Sequence, residues 1–348
     1  MHRLLDFSGI IEAAWLDYDD SRPIKSITDI SAQVSTNHVY RIKFEDEGII
    51  IGKLSYFGKY EYFLDDHTII NALANNLQSP YENFVAKSLT KHGQLYTYRY
   101  KSSGLDAWVV FYNPIQIDKK LPRKQNLKTV EKLGAELAKF HKACFTIRNT
   151  LPSQYKQMKD DINHLQEILE TDHGKFEHRG HIESIQNQCE TFFENYKALG
   201  IDSLKSIPVF VDWNIGNFSV TKDMRFFSRW DYDWFRMSSR VMDFYFFSRV
   251  CSEAGDKTVF SYLLDPMMED RFMIFLKSYH EIYPLTEQEI LFMKEAYRFF
   301  IINYVVKDGR YFFHEIYATK LQREAHEIYF PKLEESFDAK KILKALKL

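Results

Sequence analysis

The segment VDWNIGN, residues 211–217, sets Asp212 five positions before Asn217 across a turn that contains Gly216. Apolar residues from Ile207 to Val211 lead into it and Phe218, Ser219 and Val220 follow, so a carboxylate and a carboxamide sit in a strand-loop-strand segment. Further on, RFFSRWDYDWF places Asp231 after an apolar-rich run, with Asp233 two residues later and Asp243 beyond it in VMDFYFF. Carboxylate and carboxamide oxygens are donors that Mg²⁺ accepts, usually one or two from the protein, completed by phosphate oxygens and water. Transfer of a γ-phosphoryl group asks a protein for charge neutralisation and in-line placement more than for covalent chemistry. In that chemistry Asn217 and Asp231 are the candidate metal ligands. Asp212 is the candidate group that accepts, or orients, the proton of an acceptor hydroxyl.

The Asp-x4-Asn spacing is weak evidence by itself, because Asp and Asn favour turns for local hydrogen-bonding reasons. Its weight comes from the elements around it. From Ile24 to about Leu54 the chain reads as short strands, with VYRIKF and GIIIGKL joined by a turn at Asp46, Glu47 and Gly48. DDHTIINALANNL follows with Ile69, Ile70, Leu73 and Leu77 at helical spacing, behind acids suited to a helix start. Two more strands are expected around GQLYTYRYK and AWVVFYN, which makes a sheet with one inserted helix. After Asn113-Pro114 the pattern turns helical: Val130, Leu133, Leu137 and Phe140 form one stripe, and QMKDDINHLQEIL and HIESIQNQCETFFENYKAL continue it. The expected layout is an α+β chain of two lobes, a small mixed lobe over 1–112 and a larger helical one over 113–348.

Composition narrows the classes. The chain has 348 residues, enough for two lobes, and its 45% hydrophobic and 16% aromatic content is that of a globular protein. A formal charge of −2 gives no basic field for nucleic acid. Three widely spaced cysteines argue against a disulfide framework, and the absence of a long apolar run argues against a membrane span, so a cytoplasmic protein is expected. There is no G-x-x-x-x-G-K-[ST], no G-x-G-x-x-G after a strand, no H-E-x-x-H and no G-x-S-x-G.

Taken together, these residues resemble the aminoglycoside phosphotransferase and choline kinase-like group of small-molecule kinases, which have a bilobal protein-kinase-like fold. That group's catalytic loop usually reads His-Gly-Asp, four residues, then Asn; this chain has Phe210, Val211, Asp212 and Asn217. Its metal segment, Ile-Asp-Trp-Glu and a later Asp, is similar to Trp230, Asp231, Tyr232, Asp233 and Asp243. STNHVYRI at 35–42 looks like its loop and second strand, and LGAELAKFHKA like its first large-lobe helix. The resemblance implies ATP, with GTP as the alternative, lying between the lobes against the backbone near Phe111, Tyr112 and Asn113. It implies Lys53 on the α/β-phosphates, Mg²⁺ on Asn217 and Asp231, and a small-molecule hydroxyl acceptor facing Asp212. Asp66 is the best placed helical acid to pair Lys53, with Asp65 and Glu61 open. Phe210 and Val211 in place of His-Gly, and a loop before Asn37 without glycine, motivate a second expectation, a nucleotide-binding pseudokinase.

Other readings stand beside these. Lys53 also fits an edge-strand lysine. Asp243 is read as bracing the catalytic segment, not as a ligand, and His141 as a packed, hydrogen-bonded core histidine. His178 and His181 read as surface or loop residues. Trp213, Trp230, Trp234 and Phe235 fit an aromatic wall for a cationic acceptor, with Asp233 and Glu253 suited to an ammonium, or equally fit packing between helices.

Overall fold

The computed structural model describes residues 6–32, 37–154, 156–256 and 261–348. Its first part is a five-stranded antiparallel sheet built from β1 (Ile24–Asp29), β2 (His38–Phe44), β3 (Ile49–Ser55), β4 (Thr97–Ser102) and β5 (Leu105–Tyr112), in the order β1-β2-β3-β5-β4. The expected β2–β3 hairpin is present, with Arg41 opposite Ile51 and Glu47 in left-handed backbone at its turn. Alternation along β2 puts Tyr40, Ile42 and Phe44 on the buried face. That face is closed by a helix absent from the sequence reading, α1 (Ser8–Tyr18), whose Trp15 ring packs against Phe44 at 4.5 Å and Phe111 at 5.4 Å.

The inserted helix α2 (Tyr60–Asn76) begins earlier than Asp65, with Glu61 in its first turn. Its buried Ile69, Ile70 and Leu73 join the core of the second part of the chain, together with Val110 and Tyr112 of β5, and so tie the sheet to the helices. The loop before Asn37, read as lacking glycine, falls largely on 33–36, outside the described residues.

The sheet ends at Tyr112 and the next long element is α3 (Leu127–Ile147), capped by the Asn126 side chain, which accepts the Thr129 amide at 2.8 Å. Its expected stripe is fully buried. Gly134 lies so close to a later helix that a Cβ there would stand 2.2 Å from the Phe275 carbonyl oxygen, so glycine sets this helix crossing. The helices α4 (Met158–Glu170) and α5 (Ile182–Ala198) follow, and a run of further helices fills the chain from Phe244 onward. Between them lie two strand pairs. β6 (Ser206–Val209) pairs with β9 (Arg236–Ser239), and β7 (Phe218–Val220) pairs with β8 (Phe226–Arg229), all antiparallel. Of the two readings for His178, surface or loop, the loop one holds: it lies in the turn after Glu177 but is only 4% exposed. All three cysteines are buried and free, and no described helix is long and apolar enough to cross a membrane.

Candidate active site

The β7–β8 hairpin explains how residues far apart in sequence meet. Arg229 pairs with Phe218, so the residue before β7, Asn217, lies beside the residues that follow β8. The Trp230 amide donates to the Asn217 carbonyl at 3.0 Å and fixes that register. Asn217 Nδ2 donates to Asp212 Oδ2 at 2.9 Å, which turns the amide oxygen of Asn217 away from Asp212. Asp231 is exposed and in left-handed backbone, φ 66°, and its Oδ1 accepts the Asp233 amide at 3.3 Å. Asp212, Asn217 and Asp231 thus line one cavity.

Asp212 is held by the Asn214 amide at 3.0 Å as well as by Asn217. Burial pushes its carboxyl up to about 7, and the Asp231 charge pushes the same way, against the Asn214 amide and Arg229. A carboxylate with a pKa near neutrality is suited to taking a hydroxyl proton.

Arg229 is a site residue that the sequence reading passed over. Fully buried, it donates from Nη2 to the Asp212 carbonyl at 2.7 Å and spans to the Asp231 carbonyl at 3.4 Å. Its guanidinium lies 4.2 Å from the Phe210 ring centroid and 4.6 Å from that of Trp213. The aromatic residue at position 210 therefore has a physical role, a face for a buried cation. The only sequence signal was an arginine directly before the Trp-Asp pair.

Asp243 does brace the loop. Its Oδ1 accepts the Phe210 amide at 2.9 Å and the Val211 amide at 2.7 Å, while Oδ2 meets His141 Nε2 at 3.0 Å. His141 is in turn hydrogen-bonded to the Tyr279 hydroxyl at 2.8 Å, the packed histidine that was expected.

A second cavity of about 440 Å³ lies between the sheet and the helices. Val39, Ile51, Ala86 and Ile115 make it apolar, and Lys53, Asn217 and Asp231 make it polar. Lys53 is 7% exposed. Burial pulls its ammonium down, but Asp233 and Asp231 outweigh this and leave it raised.

The expected pairing of Lys53 is corrected. Its ammonium is bound by Asp233, whose other oxygen accepts Asn37 Nδ2. Asp66 accepts Gln154 Nε2 at 2.7 Å and feels the Lys156 charge, while its own charge adds, less than those of Asp233 and Asp231, to the field that holds the Lys53 ammonium. Glu61 is exposed, with Arg99 Nη1 3.7 Å away. Two backbone groups at 111–113 are already engaged. The Phe111 ring is fully buried in the core with α1, and its carbonyl accepts the Leu89 amide at 2.8 Å. The Asn113 amide donates to the Lys87 carbonyl at 2.9 Å, so it too is engaged, while Tyr112, Asn113 and Ile115 face the cavity. Of the four aromatics, Trp213 and Phe235 are core residues, Trp230 lines the larger cavity and Trp234 the one at Asp212. Glu253 is exposed and bound to Lys124, away from both cavities.

Solved structures carry the same arrangement of elements. Amicoumacin kinase hAmiN, in complex with AMP-PNP, Ca²⁺ and Ami, superposes with a TM-score of 0.63 over 97% of this chain and 97% of its own, at 15% identity. The fold is that of the small-molecule phosphotransferases. Choline kinase LicA from Streptococcus pneumoniae matches with a TM-score of 0.54 over 92% of this chain and 97% of its own, at 14% identity. The GDP complex of aminoglycoside 2'-phosphotransferase-IIIa matches with a TM-score of 0.54 over 95% and 100%, at 13% identity. No sequence-family model matches the chain, and no curated protein sequence matches it.

Proposed function

We propose that the protein is an ATP-dependent, Mg²⁺-dependent phosphotransferase acting on a hydroxyl of a small molecule. The observation that carries this is the convergence of Asp212, Asn217 and Asp231 at the β7–β8 hairpin, beside a cavity that also holds Lys53. The base would lie among Val39, Ile51, Ala86 and Ile115, with Tyr112 and Asn113 at its edge.

The donor set suits Mg²⁺. Asn217 and Asp231 offer hard oxygens, and the described residues contain no group of three or more His, Cys, Asp or Glu able to hold a metal alone. A site of two protein donors finished by phosphate oxygens is the usual one for this ion. When bound, Mg²⁺ would neutralise charge on the transferring phosphates. Lys53 would leave its contact with Asp233, or share it, to reach phosphate oxygens. Asp212 would orient the acceptor hydroxyl and take its proton. The acceptor oxygen then bonds to the γ-phosphorus as the bond to the β,γ-bridging oxygen breaks, and ADP leaves.

A second reading, nucleotide binding without transfer, is favoured by one observation, the commitment of Lys53 to Asp233. Thermal unfolding of the wild type and Asp231→Asn with ATP, with and without Mg²⁺, tests the metal-nucleotide site. A Mg²⁺-enhanced rise of a few degrees, about 1 kcal/mol of linkage, lost in the variant, is expected. No rise at millimolar ATP would overturn the proposal.

A further inference from the structure

The cavity that contains Asp212, about 260 Å³, has an unusual wall for a site rich in carboxylates. The rings of Trp234, Phe246, Tyr262, Phe312 and Phe313 line it together with Asp212. They pack on one another, with Trp234 5.7 Å from both Phe246 and Phe312 and 6.3 Å from Phe313, so the wall is a continuous aromatic surface.

Such a wall attracts two kinds of ligand: a cation, through the ring quadrupoles, or a neutral apolar or aromatic body, through burial. Arg249 decides between them. Its guanidinium already lies over Phe246 at 5.1 Å and over Tyr262 at 5.4 Å, so the wall contains its own cation. Arg249 is fixed there by Asp256 at 3.1 Å, and Asp256 also accepts the Ile215 amide at 3.2 Å, within the Asp212–Asn217 loop. A second cation at Phe246 or Tyr262 would meet ring faces already in use, whereas Trp234, Phe312 and Phe313 offer their surface to an apolar body.

The carboxylates of this cavity have partners of their own. Asp233 is bound to Lys53 and Asn37, and Asp212 to Asn214 and Asn217. Asp231 belongs, in the kinase reading, to the metal.

We infer that the acceptor is a neutral alcohol carrying an aromatic or alicyclic body, which lies on Trp234, Phe312 and Phe313 with its hydroxyl at Asp212, and not an aminosugar or a quaternary ammonium alcohol. This rests on the kinase reading above. The hydroxyl loses its proton to Asp212 as its oxygen takes the γ-phosphoryl group from ATP, giving a phosphate monoester and ADP.

The test uses the full chain with Mg²⁺. Binding of 2-phenylethanol, 2-(1-naphthyl)ethanol and cyclohexylmethanol is measured in the presence of ADP by quenching of tryptophan fluorescence and by thermal shift, beside choline and kanamycin, and ATP consumption is followed with each. The neutral alcohols are expected to bind and turn over better than the cations by about tenfold or more. Trp234→Ala should cost them about tenfold in kcat/KM, with the KM for ATP unchanged. A preference for choline or kanamycin, or binding of neither class while ADP and Mg²⁺ still bind, would overturn the inference. Failure of the nucleotide itself to bind would overturn the kinase reading instead.

Discussion

The Asp243 carboxylate accepts the Val211 amide at 2.7 Å and so holds a β-branched residue at φ 62°, directly before Asp212. Left-handed backbone costs an L-residue roughly 1–2 kcal/mol, and a β-branched one is a rare occupant. At ordinary positions glycine is less stable than alanine. Here the order should reverse, with Val211→Gly more stable than Val211→Ala by about 1 kcal/mol in urea unfolding. Equal stabilities, or the ordinary order, would mean the strain is not real.

Removing the brace has a larger expected effect. Asp243→Ala leaves the Phe210 and Val211 amides and His141 without their shared acceptor in a fully buried place. Each orphaned buried donor costs about 1–3 kcal/mol, so a loss of about 3–5 kcal/mol is predicted from chemical denaturation. A loss below about 1 kcal/mol would contradict the bracing role.

Arg229 joins the Asp212 and Asp231 backbones from beneath. Arg229→Met should fill much of the volume yet release both carbonyls, lowering stability by about 1–2 kcal/mol and nucleotide turnover with it. Arg229→Lys keeps the charge but not the planar stack on Phe210 and Trp213, and should recover little of either property. Full activity in the lysine variant would show that charge alone suffices.

One buried cluster sets a pH dependence. Asp161 lies beside Arg236 at 3.0 Å and Lys307 at 3.0 Å. Burial opposes its charge, but Arg236, Lys156 and Lys307 prevail and hold the carboxyl down at about 2. A folded pKa below the unfolded value means that the unfolded chain binds the proton more tightly. The stabilisation is therefore fully present above about pH 4 and is lost as pH falls through about 2. It amounts to about 2 kcal/mol, so the gap between wild type and Asp161→Asn should be about 1 kcal/mol narrower at pH 3 than at pH 7. A gap independent of pH would contradict the pairing.

Period and turn chemistry were enough to read the β2–β3 hairpin and the α3 stripe, because these are local or recur at fixed spacing; Asp212, Asn217 and Asp231, singled out in the sequence, line one cavity. Three features were not legible for physical reasons. Helix α1 is short and closes a sheet face whose partners, Phe44 and Phe111, lie far along the chain. Lys53 could be matched to a helical acid by interval, but the tertiary fold gives Asp66 to Gln154 and brings Asp233 to the lysine instead. The base was expected against the backbone at 111–113, but pairing with 87–89 engages the Phe111 carbonyl and the Asn113 amide, which no local pattern announces.

The most direct measurement is Mg²⁺-dependent release of ADP from ATP by the wild type, Asp212→Asn and Asp231→Asn, with nucleotide affinity measured in parallel by calorimetry. Phosphoryl transfer at this site predicts that Asp212→Asn still binds ATP but turns over about 100-fold more slowly or worse. Asp231→Asn should lose the Mg²⁺-dependent part of its affinity. Turnover in Asp212→Asn equal to wild type, or affinity in Asp231→Asn that still responds fully to Mg²⁺, would contradict the account.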